Sequence, residues 1–438
     1  MQFDNNIAIA ILMGTFVIMI IMKIPVTFSL AVSSGLTMIY CKISLMALIQ
    51  TFAKSVNSFS LLAIPFFILC GEIMGAGGIS DRMLNFANVI VGRFQGGLAH
   101  VNCLASMFFG GVSGSAVADV SSLGTALIPM MKNAGYDEDF SVGITVTSAC
   151  QGVLIPPSHN MIIYAVSVGG LAGGVSVRNL FMGGVIPGVS LGLALMGVCA
   201  VISYKRNYPK GEKVSLKDAI KISRDAILAL FTAAIILFGV TFGLFTATES
   251  GAIACLYALF ISMAIYRELK PSYLPVILMK TVKTLAMVFS LIGAAGVFGW
   301  MMAYLRVPVA LTKLLLNISN NKIVILLLIN ALLLFLGCIM DMAPLILIMT
   351  PILLPVVTKF GMNTVQFGIM LILNLAVGLC TPPVGSALFV GCSIGKIPIE
   401  KTVKAMLPMY LAMVVVLLMV TFIPGMSLWL PGLIYGVK

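Results

Sequence analysis

Apolar runs follow one another along the whole chain, parted only by short polar breaks. A helix needs about 20 apolar residues to cross the hydrocarbon core of a bilayer. In lipid every backbone polar group must find its partner inside the protein, so a chain of such runs folds as a helical bundle. A soluble chain carries about 25% charged residues to wet its surface, whereas here the charged share is 9% and the mean hydropathy is +1.13. The 438 residues have room for roughly ten to twelve spans. The fold class expected is therefore an all-α polytopic membrane protein. Simple helices are read at about 5–22, 25–40, 60–75, 178–203, 226–246, 248–267, 277–304 and 403–424.

The net charge of +12 would suggest nucleic acid in a soluble chain. Here the basic residues sit in loops between apolar runs, where cytoplasmic loops of membrane proteins collect them. Lys205, Arg206, Lys210, Lys213, Lys217, Lys221 and Arg224 form the densest cluster, which makes 205–225 a cytoplasmic loop. The first run is preceded by Asp4, Asn5 and Asn6 and followed by Lys23, so the N-terminus is expected outside. That run has no basic flank before it and no small-residue cleavage site, and it reads as a retained helix.

No nucleotide-binding G-x-x-x-x-G-K-[ST] occurs and no H-E-x-x-H. Two G-x-S-x-G matches, at 188–192 and 391–395, lie in apolar runs, not at a strand-to-helix elbow. An enzyme is not indicated. The nine cysteines are scattered without a C-x-x-C pair and read as small buried hydrophobes. With two histidines, a histidine metal site is not expected.

Two regions, 96–170 and 322–396, are not simple spans. Adding 226 to a residue number carries Phe109 onto Phe335, Gly111 onto Gly337, Pro129 onto Pro355, Gly135 onto Gly361, Gly152 onto Gly378, and Pro156-Pro157 onto Pro382-Pro383, without a gap. Leucine and phenylalanine matches come easily in apolar runs. Glycine and proline matches mean more, because these residues break helices. Broken segments in two corresponding halves point to a transporter's binding site, because non-helical backbone at membrane depth survives only where protein, water, ion or substrate satisfies it.

The first break, Gly111–Asp119, reads as the tip of a re-entrant helical hairpin. Its free carbonyls and the hydroxyls of Ser113 and Ser115 are hard oxygen ligands suited to an alkali cation. At Gly152–Ser158 two prolines remove two donors, so the ends of two half-helices face each other: carbonyls suit a cation, N–H groups an anion. The second half repeats this with Gly337–Pro344 as tip and Gly378–Gly385 as broken helix. A small-residue packing patch and a plain proline kink are the bland readings of these breaks. Acids inside apolar runs are Glu72, Asp119, Glu249 and Asp341. Such residues default to functional roles, although Glu72 and Glu249, outside the breaks, are read equally well as helix-end structure.

GGLAHVN (96–102), SGSAVADVSSLG (113–124), IPPSHNMIIYA (155–165), GLFTATESGAIACLYAL (243–259), DMAPLILIMTPILLP (341–355) and GLCTPPVGSALFVG (378–391) together resemble, in content and order, the large membrane subunit of tripartite ATP-independent periplasmic (TRAP) transporters. The resemblance implies an elevator-type secondary transporter with two inverted repeats, each holding a re-entrant hairpin and a broken helix. Scaffold helices would lie at 1–95 and 171–321, transport-domain segments at 96–170 and 322–396, and a C-terminal helix at 397–438. Coupling would be to sodium, with no other cofactor. One sodium site would involve Gly111, Ser113, Gly152, Ile155 and Ser158, and the other Gly337, Gly378, Thr381 and Val384. Substrate would meet Ser115, Asp119, Pro156, Asn160, Asp341 and Pro382. The implied cargo is a small organic acid (a dicarboxylate, sialic acid or a sugar acid). The implied partners are a small four-helix membrane subunit and a periplasmic substrate-binding protein, at the bacterial inner membrane. The alternative is a self-sufficient sodium/dicarboxylate symporter without a binding protein.

Overall fold

The structure, a computed structural model, describes residues 4–169, 174–211 and 214–436. Among the described residues there are twenty α-helices and no β-strand. Five come first: α1 (Asn5–Ile21), α2 (Val26–Tyr40), α3 (Leu45–Val56), α4 (Ala63–Ala76) and α5 (Ile79–Val91). A hairpin of α6 (Gly97–Ser113) and α7 (Ala116–Asn133) leads to α8 (Glu138–Gly152), a break, α9 (His159–Gly169) and the long α10 (Val177–Lys205). Next come α11 (Leu216–Thr241), α12 (Ala247–Phe260), α13 (Leu274–Tyr304) and α14 (Val307–Ile318). The second hairpin is α15 (Lys322–Gly337) and α16 (Met342–Lys359), followed by α17 (Thr364–Leu379), a second break, α18 (Ser386–Gly395), α19 (Ile399–Phe422) and α20 (Gly425–Tyr435). Six helical stretches are long and apolar enough to cross a membrane, and the pair α4–α5, bent by 72°, counts as a seventh if taken as one span. The chain is a multi-pass membrane protein.

Each simple span expected from sequence is a helix. Four further helices, α3, α5, α14 and α20, are too short or too amphipathic to stand out as apolar runs. The basic segment 205–225 is not all loop: Ser215 accepts from the Asp218 N–H and starts α11 at Leu216, so Lys217, Lys221 and Arg224 lie on a helix. The end of the chain, 397–438, holds two helices where one was expected. Glu249 has a structural role, closing a capping box with Thr246 at the start of α12.

The 226-residue repeat is visible in the elements themselves. Both ends of α7 map onto α16, the start of α8 onto α17 and the end of α9 onto α18. Ser115 caps α7 and Asp341, its counterpart, caps α16. Gly135 and Gly361 take the same left-handed turn after the hairpin, at φ 88° and 76°.

Contacts fix which way each hairpin opens. Gln95 donates to the Ser203 carbonyl, the Gly96 N–H donates to the Pro209 carbonyl, and Arg206 pairs with Asp137 at 2.6 Å. The start of α6, the turn from α7 to α8 and the end of α10 therefore share one face, that of the basic segment. At the other end of α10, Gly183 packs against Val365 and the Ser427 carbonyl, placing the start of α17 on the opposite face. The second hairpin thus opens opposite to the first. Asn5 donates to the Leu305 carbonyl beyond α13, so α1 also starts on the face opposite the basic segment.

The helices pack in two sets that meet through α5 with α6 and α13 with α16. α10 lies against α6, α8, α17, α19 and α20, and α19 against α8 and α17. α13 packs with α2, α3 and α4, α12 with α4, and α11 with α5 and α12. Each hairpin's outgoing arm packs on the other half's second half-helix, α16 with α9 and α7 with α18.

Candidate functional site

Close backbone contact assembles each half. Gly110 and Gly152 meet Cα to Cα with no room for a Cβ on either, tying the end of α6 to the end of α8. In the second half Gly378 takes the same place, where a Cβ would stand 2.7 Å from the Gly337 Cα. Only glycine allows this approach. The first tip then turns at Gly114, φ 61°, and Asn160 donates to its carbonyl at 3.0 Å. The second tip is tied by the Val384 N–H, which donates to the Cys338 carbonyl at 3.1 Å. Pro156-Pro157 and Pro382-Pro383 are both cis peptides.

The two breaks adjoin. Cys150, half a turn before the first, touches Cys380, in the second, with sulfurs 2.6 Å apart. Tyr410 of α19 donates to the Cys380 carbonyl at 2.5 Å, holding that turn to α19.

Oxygen atoms collect at the breaks. Beside Gly111, a Cβ position would lie 3.0 Å from the Pro156 carbonyl oxygen and 3.7 Å from that of Ile155. Ser158 is fully buried and its hydroxyl has no hydrogen-bond partner among the described residues. Of the residues expected together, Gly111 meets Ile155 and Gly152 meets the neighbouring Gly110, while Ser158 lies beside Gly114; the Ser113 side chain lies outside the described residues. In the second half the carbonyls of Leu379 and Thr381 converge beside Gly385. The Thr381 hydroxyl donates to the Val377 carbonyl at 2.7 Å. Neutral oxygens of this kind fit a monovalent cation, and an orphaned buried hydroxyl is the sort of group a bound cation satisfies.

The residues expected to meet substrate divide. Asp341 is exposed and Ser115, Pro382 partly so, whereas Pro156, Asn160 and Asp119 are buried. Asp119 is 1% exposed and faces inward, accepting from Ser106 at 3.4 Å, with its second oxygen turned toward Gly152.

Polar clusters missing from the sequence reading brace each half. Asn102 of α6 donates to Thr145 at 2.6 Å and accepts from Ser148 at 2.9 Å, both on α8. In the second half Asn374, at the position matching Ser148, donates to the Asn330 side chain at 2.9 Å and its carbonyl at 3.0 Å. Such interhelical bonds contribute roughly 0.6–2 kcal/mol each in a membrane. The signal was there: Asn102 and Ser106, and Thr145 and Ser148, lie one turn apart on the faces of apolar helices. Both G-x-S-x-G matches prove to be packing surfaces. Gly188 and Gly192 seat α10 against Ile155, Met107 and Gln151, and Gly391 and Gly395 seat α18 against Val142 and Val146.

On the face of the basic segment, Arg206 and the Tyr208 hydroxyl both donate to the Asp137 carboxylate, at 2.6 and 2.7 Å. The Tyr208 hydroxyl first, then the Arg206 guanidinium and Lys401, hold that carboxyl below the usual aspartate range, against the opposing effect of partial burial.

Residues 13–426 match the family model described as "Tripartite ATP-independent periplasmic transporter, DctM component". The chain is 43% identical over 436 residues to the uncharacterized protein YgiK of Salmonella typhimurium, covering 99% of each. It is 41% identical to the sialic acid TRAP transporter large permease protein SiaM of Vibrio cholerae, over 88% of this chain and 90% of that one. Among solved structures it resembles the YdaH transporter of Alcanivorax borkumensis, with a TM-score of 0.64 at 13% identity over 87% of this chain and 89% of that chain, a likeness of fold alone. The chain belongs to the DctM family, the large permease component of tripartite ATP-independent periplasmic transporters.

Proposed function

We propose that this permease carries a small organic acid inward across the bacterial inner membrane, driven by sodium and supplied by a periplasmic substrate-binding protein, with a small four-helix membrane subunit beside it. The convergence of four helix breaks, two from each inverted half, carries this reading. Inward-aimed carbonyls and the orphaned Ser158 hydroxyl supply cation ligands. Half-helices that start at the breaks offer N–H groups to an anion. Sodium, when bound, would be held by Gly111, Gly152, Ile155 and Ser158 in one half and by Gly337, Gly378, Thr381 and Val384 in the other, and its gradient supplies the driving force.

The mobile body in this reading comprises both hairpins, both broken helices, and also α10 and α19, which pack among them; α1–α5 and α11–α14 remain as scaffold. Four breaks embedded in one packed body can face either side of the membrane in turn without being rebuilt.

Reconstitution with the small subunit into proteoliposomes tests this. Uptake of succinate or N-acetylneuraminate should require both the binding protein and a sodium gradient, and choline replacement at fixed pH should abolish it. Full uptake on a proton gradient alone would remove the sodium coupling. Full uptake without the binding protein would favour the self-sufficient symporter.

A further inference from the structure

An organic acid held between the breaks presents a negative charge. Within 111–119, 152–160, 337–344 and 378–386, the acidic and basic side chains are Asp119, His159 and Asp341. Two of these are acids. Asp119 is buried behind the tip and Asp341 caps α16. His159 is the one basic side chain in all four breaks. The lysines at the outgoing ends of the arms, Lys132, Lys359 and Lys396, are a whole helix away.

His159 opens α9 where the first tip meets the first break. Its Nδ1 lies beside Gly114, where a Cβ position would be 2.7 Å from it. The bond from Asn160 to the Gly114 carbonyl holds the tip in that place. His159 is partly exposed, unlike its neighbours Ser158 and Asn160. α9 packs on α16; both helices start at a break and run to the face where α17 begins, since Tyr164 of α9 donates to the Thr364 carbonyl at 2.7 Å. The position matching His159 in the second half is Gly385, so the imidazole has no counterpart there.

We propose that His159 is a cargo-binding residue of the site: its ring N–H donates to a carboxylate oxygen of the bound organic acid. This rests on the reading of the chain as an organic-acid permease. One-sided recognition follows, with a single acid group held by the first half and the rest of the cargo left to the second tip.

The complete system, permease with small subunit and binding protein, is reconstituted and uptake of succinate and N-acetylneuraminate measured for wild type, His159→Ala and His159→Asn. Loss of a hydrogen bond to a charged group costs about 1.5–3 kcal/mol, so His159→Ala should raise the half-saturating acid concentration about tenfold or more. The sodium concentration for half-maximal uptake and the thermal unfolding midpoint without acid should stay at wild-type values. His159→Asn keeps an N–H donor and should recover part of the loss. An unchanged half-saturating concentration in His159→Ala, or a lowered maximal rate alone, overturns the proposal while leaving organic-acid transport intact. A wild-type system that carries neither acid overturns the transport reading and this inference with it.

Discussion

Cys150 and Cys380 stand 230 positions apart in sequence and touch, sulfur to sulfur, at 2.6 Å in the buried centre of the bundle. One belongs to the broken helix of the first half and the other to that of the second. Their contact joins two breaks that each already hold their own hairpin tip, through Gly110–Gly152 and Gly337–Gly378. Relative motion of the halves would have to open this contact.

Thr381→Val should weaken sodium dependence more than it weakens the fold. The Thr381 hydroxyl gives its proton to the Val377 carbonyl, which leaves the oxygen's lone pairs for a cation. That carbonyl also accepts from the Cys380 N–H and so keeps a partner in the mutant, which limits the folding cost to about 1 kcal/mol. The expected result is normal membrane expression with a several-fold higher sodium concentration for half-maximal uptake. A sodium titration that overlays the wild type would take the hydroxyl out of the site.

Gly110→Ala should destabilise the first half. The added methyl overlaps the Gly152 backbone, and overpacking of this kind costs about 1–3 kcal/mol, more than the ~1 kcal/mol that alanine gains over glycine in a helix. Gly197→Ala on α10, where a Cβ meets nothing within 4 Å, should be neutral or slightly stabilising. Thermal unfolding of the two purified variants checks the contrast, and equal midpoints would contradict the close approach.

The Asp137 latch should make stability depend on pH in one direction. Its carboxyl is held below the ordinary value by Tyr208 and Arg206. A group whose folded value is depressed contributes stability above its unfolded value and loses it as pH falls through the folded one. Wild type should therefore exceed Asp137→Asn in unfolding midpoint near neutral pH, and the gap should close as pH falls through and below about 4. A gap that widens in acid would reverse the assignment.

The sequence reading reached the parts of the fold that lipid dictates. Apolar runs marked the spans, and the glycine and proline matches at a constant offset marked α6–α9 and α15–α18, because helix-breaking residues leave a trace that does not depend on partners. α3 and α5 were not legible, since an amphipathic helix in a membrane protein is defined by what it packs on: Phe52 and Ser55 of α3 find their places on Gly293 and Gly296 of α13. The packing of α10 and α19 on the hairpins and broken helices was equally hidden, because a uniformly apolar helix does not show which neighbour it chooses. At the site, register was the obstacle. Gly110 and Gly111 are adjacent, and only the approach of α8 decides that Gly110 meets Gly152 while Gly111 faces the carbonyls of Ile155 and Pro156.

Opposite opening of the hairpins gives the last prediction. Ser115 and Asp341 occupy matching positions, each capping the outgoing arm of its tip, and each is at least partly exposed. Ser115 hangs from the face of the basic segment 205–211, which its charge would place in the cytoplasm, and Asp341 from the other face. Eight of the nine native cysteines are buried and only Cys338 is partly exposed, so a Cys338→Ala background suffices for thiol labelling. Removing either cap costs about 1 kcal/mol, small enough for the variants to fold. With the system biased inward, the thiol of Ser115→Cys should gain reactivity toward a membrane-impermeant reagent applied from the cytoplasm. With an outward bias, that of Asp341→Cys should gain it from the periplasm. Sodium and a carried acid together should protect both, because the cargo would lie between the tips. One block carrying four breaks demands that the two reactivities change in opposite senses under the same bias. Labelling of both positions from one side in every condition would mean that the hairpins do not form a common site.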